Sequence, residues 1–440
     1  MTAPFPALAS IVTTDFAGVT RGRPVRTDQL DRYADSGIGW VPANISLTPF
    51  NVIADPNPWG SSGDLRIIPD LDAVYSTAST GSVTPFTLVP GAIVELDGSP
   101  WCCCSRTMLA DAIAALKAET GLSVLSTFEQ EFQLFGAGLV PAHAFSVAAL
   151  RRADPFASEI LAALEEAGVE PEMFLAEYGE DQFEVTQAPA PALAAADRAV
   201  VVREIVREVA RNKGWQASFA PKTRIDGSGN GVHIHFSLVD GTGAPVLHDA
   251  SRPGNLSEIG GAFAAGVIAH MAALVVLTAP SVPSYYRLQP HFWSAAWTWL
   301  GDKDREASLR ICPVVTLGGK DPARQFNIEY RAADATANPY LSLAAIIRAG
   351  LEGIRRRLPA PPIFSGDPAL LSETERTGKG LMRLPDTLEA ALSAFEADEV
   401  VRGWFDPLFA ETYTGVRRQE LRMLAGKQPQ EICDLYRDLF

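Results

Sequence analysis

Residues 126–135 read STFEQEFQLF, and the fold of the chain turns on this stretch. Phe128, Phe132, Leu134 and Phe135 mark a strand built into a core, yet Glu129 and Glu131 sit in its middle. Residues i and i+2 of a strand point to one face, so both carboxylates are aimed at the same place. Two like charges there repel unless something positive lies between them. The strand therefore asks for a cation on its acidic face.

Three further stretches share the pattern. AEYGEDQFEV brings Glu177 and Glu184 with acids between them, GVHIHFSL puts His233 and His235 on one strand face, and NIEYRA does the same for Glu329 and Arg331. The chain has six histidines, and two of them lie two apart after the turn GSGNG. If these strands converge, one site holds carboxylates, one or two imidazoles and nearby arginines. Such a donor set favours hard divalent cations, Mg²⁺ or Mn²⁺, over zinc or copper. Ions of that kind hold phosphate oxygens and neutralise charge during phosphoryl transfer. There is no GxxxxGK[ST] loop and no HExxH, so nucleotide needs another binding mode and metalloprotease chemistry is not indicated. The HxH pair also suits a metal-dependent amidohydrolase. That class wants its HxH early and more histidines after it, whereas His248, His270 and His291 lie in a loop, an apolar helix and an aromatic loop.

Composition narrows the classes further. At 440 residues, 47% hydrophobic, the chain buries a large core, as two or three domains or one enzyme domain with an appendage. A net charge of −15 and no Lys/Arg run argue against a nucleic-acid grip. Cys102, Cys103, Cys104, Cys312 and Cys433 form neither a zinc motif nor a disulfide framework, and read as small, partly buried residues in a reducing cytoplasm. The first residues, MTAPFPALASIV, lack the basic and apolar regions of a signal peptide. Ile259–Ala279 has no Asp, Glu, Lys or Arg and is long enough to span a bilayer. It is Ala/Gly-rich, carries His270 and stands alone, so it reads as a core helix and not a membrane span.

Residues 1–104 contain short strand-like runs (IVTTDFAGV, DLRIIPDL, TPFTLVPGAIVEL) and read as a small β-rich domain, with residues 105–440 as the larger one. The texture changes at Ser105, where SRTMLADAIAALKAETG predicts a capped helix with Leu109, Ile113 and Leu116 on its apolar face and Gly121 closing it. Helices are expected near 157–168, over Ala192–Lys213 with Val201, Ile205 and Val209 inward, after Asn338-Pro339, and through most of the last 80 residues. Strands and helices mix without regular βαβ alternation, which predicts α+β and not a doubly wound sheet.

These blocks, in this order, resemble the glutamine synthetase superfamily, and most closely its branch of glutamate–amine ligases. FEQEFQLFG is similar to the family's strand with two metal-binding glutamates, and EYGEDQFE to its E-x-x-x-G-Q-x-E segment, with Asp181 where the family has Gly. FAPK followed by GSGNGVHIHFSL, RLQP from Arg287, REASLR, IEYR, ANPY and DLRIIPD match further family blocks. The resemblance implies a β-grasp-like N-terminal domain and a catalytic domain built on a curved antiparallel sheet. It implies two or three Mg²⁺ or Mn²⁺ ions, with Glu131, Glu177 and Glu184 at one position and Glu129, His233 and Glu329 at another. His235, Ser237, Arg310 and Arg324 would lie along ATP. Arg287 and Gly229 would hold glutamate, with Ser228 where the family often has Asn. Arg305 and Arg331 would stabilise the transferring phosphoryl group. The implied reaction is activation of the γ-carboxylate of L-glutamate by ATP, then attack by an amine, in stacked hexameric rings with sites between subunits.

Two departures carry information. Ammonia-using members place a Glu six residues after the Arg of R-L-x-P; here RLQPHFW puts Trp293 there. Indole cannot accept a proton or balance an ammonium charge. A gap-free match back from DLRIIPD puts Phe50 where the family's ammonium-contacting Asp lies. Two aromatics in place of two acids suit an organic amine, through apolar or cation–π contact. Ammonia-using synthesis and a catalytically retired binding protein are the alternatives. Met382 stands at the family's nucleotidylated tyrosine, so that modification is not expected.

Overall fold

A computed structural model describes residues 5–440. The first strand-like runs pair into a sheet of six: β1 (Leu8–Thr14), β2 (Thr20–Arg26), β3 (Ile38–Trp40), β4 (Leu65–Pro69), β5 (Tyr75–Thr77) and β6 (Phe86–Val94). Their order is β2-β1-β6-β4-β3, with β5 also on β6. Alternation does the work here: Ala9 and Ile11, Leu65 and Ile67, and Ile93 are buried on one side. The outer strand β2, TRGRPVR, exposes Arg23, Pro24 and Arg26, which blunt a sheet edge against pairing.

At Ser105 the period changes and α1 (Ser105–Thr120) begins. Leu109 and Leu116 are fully buried while Ile113 is half-buried, and Gly121 (φ 73) ends the helix in the left-handed conformation. Its start differs from expectation: Cys104 occupies the cap position without a side-chain hydrogen bond, and the Ser105 hydroxyl donates instead to the Thr14 carbonyl (3.3 Å). The remaining chain runs β7 (Ser123–Phe135), α2 (Val147–Arg151), α3 (Phe156–Glu166), β8 (Pro171–Ala176), β9 (Gln182–Gln187), β10 (Ala190–Pro191) and α4 (Ala192–Asn212). Then come β11 (Gln216–Ser218), β12 (Val232–Val239), α5 (Glu258–Thr278), α6 (Val282–Arg287), β13 (Trp297–Thr298), β14 (Leu300–Asp302), β15 (Leu309–Ile311), α7 (Pro322–Gln325), β16 (Ile328–Ala333) and α8 (Pro339–Arg355). Mostly helical to the end, it closes with α9 (Glu373–Gly378), β17 (Met382–Arg383), α10 (Leu388–Ala397), α11 (Glu399–Arg402), α12 (Pro407–Leu424) and α13 (Pro429–Leu439).

The larger part of the chain is built on a nine-stranded sheet ordered β14-β15-β16-β12-β7-β9-β8, with β10 and β11 also on β7. It is antiparallel throughout except for the parallel pair β14–β15 at one edge. Helices cover one face. The inward side of α4 is wider than the stripe of Val201, Ile205 and Val209, because the helix touches β7, α3 and α8 at once and buries Val200, Val202 and Val206 as well. The apolar α5 lies in the core against α8 and α10. A Cβ on its Gly266 would lie 2.0 Å from the Ala349 carbonyl oxygen, so the two backbones touch there. All five cysteines are free thiols, four of them buried.

The two sheets are joined partly through main-chain groups, beside side-chain contacts such as Arg106 to Asp70 (2.6 Å) and Phe16 on Phe409. Asn338 caps α8 with its Oδ1, which accepts from the amides of Tyr340 (3.0 Å) and Leu341 (3.3 Å). Its Nδ2 donates to the carbonyls of Thr14 (2.8 Å) and Asp15 (3.2 Å) at the end of β1. Arg417 on α12 donates to the carbonyl of Phe16, and Gly18 (φ 79) sits where a Cβ would meet the Thr336 carbonyl.

Candidate active site

On the face of the large sheet away from its covering helices, neighbouring strands present a row of charged side chains. Register places Arg310 of β15 opposite Glu329 of β16, Glu329 opposite His235 of β12, His233 opposite Glu129 of β7, and Glu131 opposite Glu184 of β9. Cross-strand neighbours share a face, so five strands deliver this set to one surface. The intervening residues Phe128, Phe132, Ile234, Phe236, Ile328 and Tyr330 are buried on the other side, which is why apolar strands can carry the acids.

Two groups of potential metal ligands have donor atoms within 4.8 Å of one another: Glu129, His233 and Glu329, and Glu131, Glu184 and His233. The first is the triad expected for the second ion. The second shares two residues with the other expected triad, with His233 in place of Glu177. Glu177 stands just beyond β8, half-buried. His233 Nδ1 lies 3.3 Å from Glu129 Oε2 and 3.4 Å from Glu329 Oε1. His235 bridges Glu129 Oε1 through Nε2 (3.1 Å) and donates from Nδ1 to Asn327 Oδ1 (2.9 Å).

The electrostatics show what this cluster lacks. Burial pushes Glu131 up to about 7. Burial, reinforced by the carboxylates of Glu129, Glu131 and Glu177, pushes Glu184 up to about 9. Burial also raises Glu177. Buried carboxylates this close are either protonated or bound to a cation. On the other side of the row, burial works against the charge of Glu329, but His233 and Arg331 outweigh it and hold the carboxyl down at about 2. Burial and the Arg331 charge push His233 down to about 4, so its imidazole is neutral at pH 7, as a metal ligand must be. Oxygen-rich donors with one neutral imidazole fit Mg²⁺ or Mn²⁺.

Arginines surround Glu329. Arg310 Nη1 donates to its Oε2 (2.6 Å), Arg331 Nη1 to its Oε1, and Arg331 Nη2 to the carbonyl of Trp293 (3.0 Å). Arg287, also buried, donates from Nη2 to the Ala333 carbonyl (2.6 Å) and packs against Gly229, whose Cβ would lie 2.6 Å from Arg287 Cγ. Ser228 packs beside Gly179, in the turn that carries Glu177. Arg305 is exposed in the β14–β15 loop, and its charge acts on Glu177. The Ser237 hydroxyl donates to the Phe326 carbonyl (2.8 Å). Three expected residues stand outside the row. Arg324 is exposed on α7, 3.9 Å from Asp321. Phe50 packs edge-on against Tyr436 of its own chain, with ring centroids 5.7 Å apart. Trp293, 67% exposed, lies in the loop after α6.

Several participants escaped sequence reading. Buried Gln182 donates from Nε2 to the Gly229 carbonyl (2.8 Å), Asn230 Oδ1 (2.9 Å) and Glu131 Oε2 (3.3 Å), joining the acidic strand to the glycine-rich turn. The amide was visible in EYGEDQFE but unassigned. Lys222, from the FAPK block, is fully buried; it donates to the Gly227 carbonyl (2.5 Å) and lies 4.9 Å from the centre of the Phe292 ring. Cys312 sits 3.6 Å from His235 Nδ1 and donates to Glu329 Oε2 (3.7 Å), a contact no motif announces.

Comparison with known proteins agrees with this geometry. The glutamine synthetase N-terminal domain family matches residues 5–101, and the glutamine synthetase catalytic domain family matches residues 102–435. The gamma-glutamylpolyamine synthetase GlnA3 of Streptomyces coelicolor is 35% identical, over 96% of this chain and 91% of that protein. The glutamate–isopropylamine ligase of a Pseudomonas species is 28% identical, over 93% and 90%. A solved structure described as a novel glutamine synthase homolog superposes with a TM-score of 0.91 at 44% identity, covering 99% of both chains. With both family domains matched end to end and the acidic strand face in place, the chain belongs to the glutamine synthetase family.

Proposed function

We propose that this protein is an ATP-dependent ligase that joins the γ-carboxylate of L-glutamate to an organic amine, giving a γ-glutamylamide. The observation that carries the amine is Trp293: an indole on the loop tied by Arg331 to the acidic row, where ammonia-using members have a carboxylate. In the reaction, a γ-carboxylate oxygen attacks the terminal phosphorus of ATP and ADP leaves. The neutral amine nitrogen then attacks the acyl carbon, the C–N bond forms as the bond from acyl carbon to phosphate oxygen breaks, and phosphate departs with the proton the nitrogen sheds.

The groups of the row, and those outside it, each have a part in this reading. Arg287 and Gly229, with Ser228 nearby, bind and orient glutamate. Arg331 and Arg305 carry positive charge to the transferring phosphoryl group, while Arg310, His235, Ser237 and Arg324 line the path of the nucleotide. Glu129, His233 and Glu329 would hold one divalent cation and Glu131, Glu184 and Glu177 another. Bound there, Mg²⁺ or Mn²⁺ supplies charge neutralisation for phosphate oxygens. Trp293 forms a π-faced wall for the amine, completed by Phe50 of a neighbouring subunit in a stacked hexameric assembly. We take residues 1–104 as the N-terminal domain and 105–440 as the catalytic one, and place the enzyme in the cytoplasm. Light scattering checks the assembly: a mass about a dozen times that of the chain is expected, and a monomer would leave Phe50 without its role.

The deciding experiment is ADP release from ATP, Mg²⁺ and L-glutamate across ammonium, short alkylamines, arylamines, ethanolamine and polyamines. Turnover with one amine class and almost none with ammonium is expected. A preference for ammonium would overturn the amine reading, and no turnover with any nucleophile would point to a binding protein.

A further inference from the structure

The loop between α6 and β13 owes its shape to a residue that the proposed function leaves unassigned, Glu306. His291 and Trp293 both hold left-handed backbone, with φ 66 and 52, a conformation bulky side chains rarely adopt without compensation. The turn aims two amide N–H groups at one carboxylate: His291 N donates to Glu306 Oε2 (3.1 Å) and Trp293 N to Glu306 Oε1 (2.6 Å). Glu306 is itself braced, its amide donating to Asp304 Oδ1 (3.0 Å) and its carbonyl accepting from Trp299 Nε1 (3.2 Å). From the other side, Arg331 Nη2 holds the Trp293 carbonyl (3.0 Å). The side chain of His291 adds a contact with Asp367 Oδ2 (2.8 Å).

We propose that Glu306 is a positioning residue for amine recognition: it locks the 291–293 turn so that the Trp293 indole faces the amine. The inference rests on the reading of Trp293 as a wall of the amine pocket. Both Glu306 oxygens accept from the turn, so the carboxylate acts through the loop. With Arg331 gripping Glu329 through one nitrogen and Trp293 through the other, the turn and the acidic row share one rigid link. Loss of the Glu306 bonds frees the turn at one end while that link persists.

The test compares wild type, E306A, E306Q, W293A and the E306A/W293A pair in ADP release, with each substrate varied in turn. E306A should raise the amine KM about tenfold while kcat and the KM values for ATP and glutamate stay within about twofold. E306Q, which keeps one acceptor for the turn, should fall between. In the W293A background E306A should add less than about twofold, because the two act as one unit. A fall in kcat alone, an equal shift for every substrate, or full additivity would overturn the proposal. A substrate-free readout separates it from the reading beneath it. The emission of Trp293, taken as the difference between wild type and W293F, should change when the same pair is compared in the E306A background. An unchanged difference spectrum overturns the positioning role whatever the kinetics. Should W293A leave the amine KM unaltered, the Trp293 reading falls, and the specificity role of Glu306 with it.

Discussion

Glu329 is where the charges of the site are balanced. One carboxylate, 1% exposed, meets Arg310, Arg331 and His233 together. Changing it to Gln leaves two buried guanidiniums without a counter-charge, so E329Q should destabilise the fold by about 3–5 kcal/mol in urea denaturation. ADP release should drop by roughly a hundredfold or more. A milder probe is Gly229→Ala. The new methyl must displace Arg287 at Cγ, 2.6 Å away, and the glutamate KM should rise roughly tenfold with the ATP KM unaltered. Initial-rate kinetics with each substrate varied would show the split. Glu129, Glu131, His233 and Glu329 were legible in the sequence because charge at a spacing of two on apolar strands violates the usual pattern of burial. Gln182, Cys312 and Asn327 were not. An amide or thiol breaks no pattern, and its partners come from other strands and turns.

Four strands, β7, β9, β12 and β16, bring the acids together, and their convergence makes the cation-free protein sensitive to alkali. Glu184, at about 9, keeps its proton where the unfolded chain has lost it, and Glu131 does so up to about 7. His235 works in the same direction: burial opposes its charge, but Glu129 lifts it well above its ordinary value. The native state therefore binds more protons than the unfolded one between pH 7 and 9, and stability falls as pH rises through that window. Thermal unfolding in a chelator should show this decline, and saturating Mg²⁺ should shrink it, so that the stabilisation by Mg²⁺ grows with pH. Elsewhere, α5 meets α8 at Gly266. Gly266→Ala should cost about 1–3 kcal/mol in urea denaturation, since the Ala349 carbonyl leaves no room for a methyl. The helix itself could be read from its apolar run, but its contact with α8 could not: glycine marks a close approach without naming the partner. The parallel β14–β15 pair was equally hidden, because three-residue strands carry too little periodicity to declare a direction.

Across the whole molecule, the α+β class was legible because strands and helices follow one another without the regular alternation of a parallel sheet. Strand order was not, since β7 at the centre pairs with strands from later in the chain, whose choice rests on turns and packing. The docking of the N-terminal sheet was also out of reach, and its chemistry explains why. Asn338 and Arg417 fasten it through the carbonyls of Thr14, Asp15 and Phe16, groups that every residue possesses. Those bonds set no demand on the side chains, although the buried Phe16 ring adds one of its own by packing edge-on against Phe409 and Tyr413. A recombinant whose first hundred residues come from a diverged relative should fold, provided the grafted segment keeps a small residue at position 18, an aromatic at 16 and an acid at 70. Gly18→Val in the unaltered chain should disturb the joint more than the entire exchange does, with thermal unfolding as the measure. Where part of a seam reads the peptide backbone, lineages can trade halves as long as the few side chains that also cross it, Phe16 and Asp70 among them, travel along.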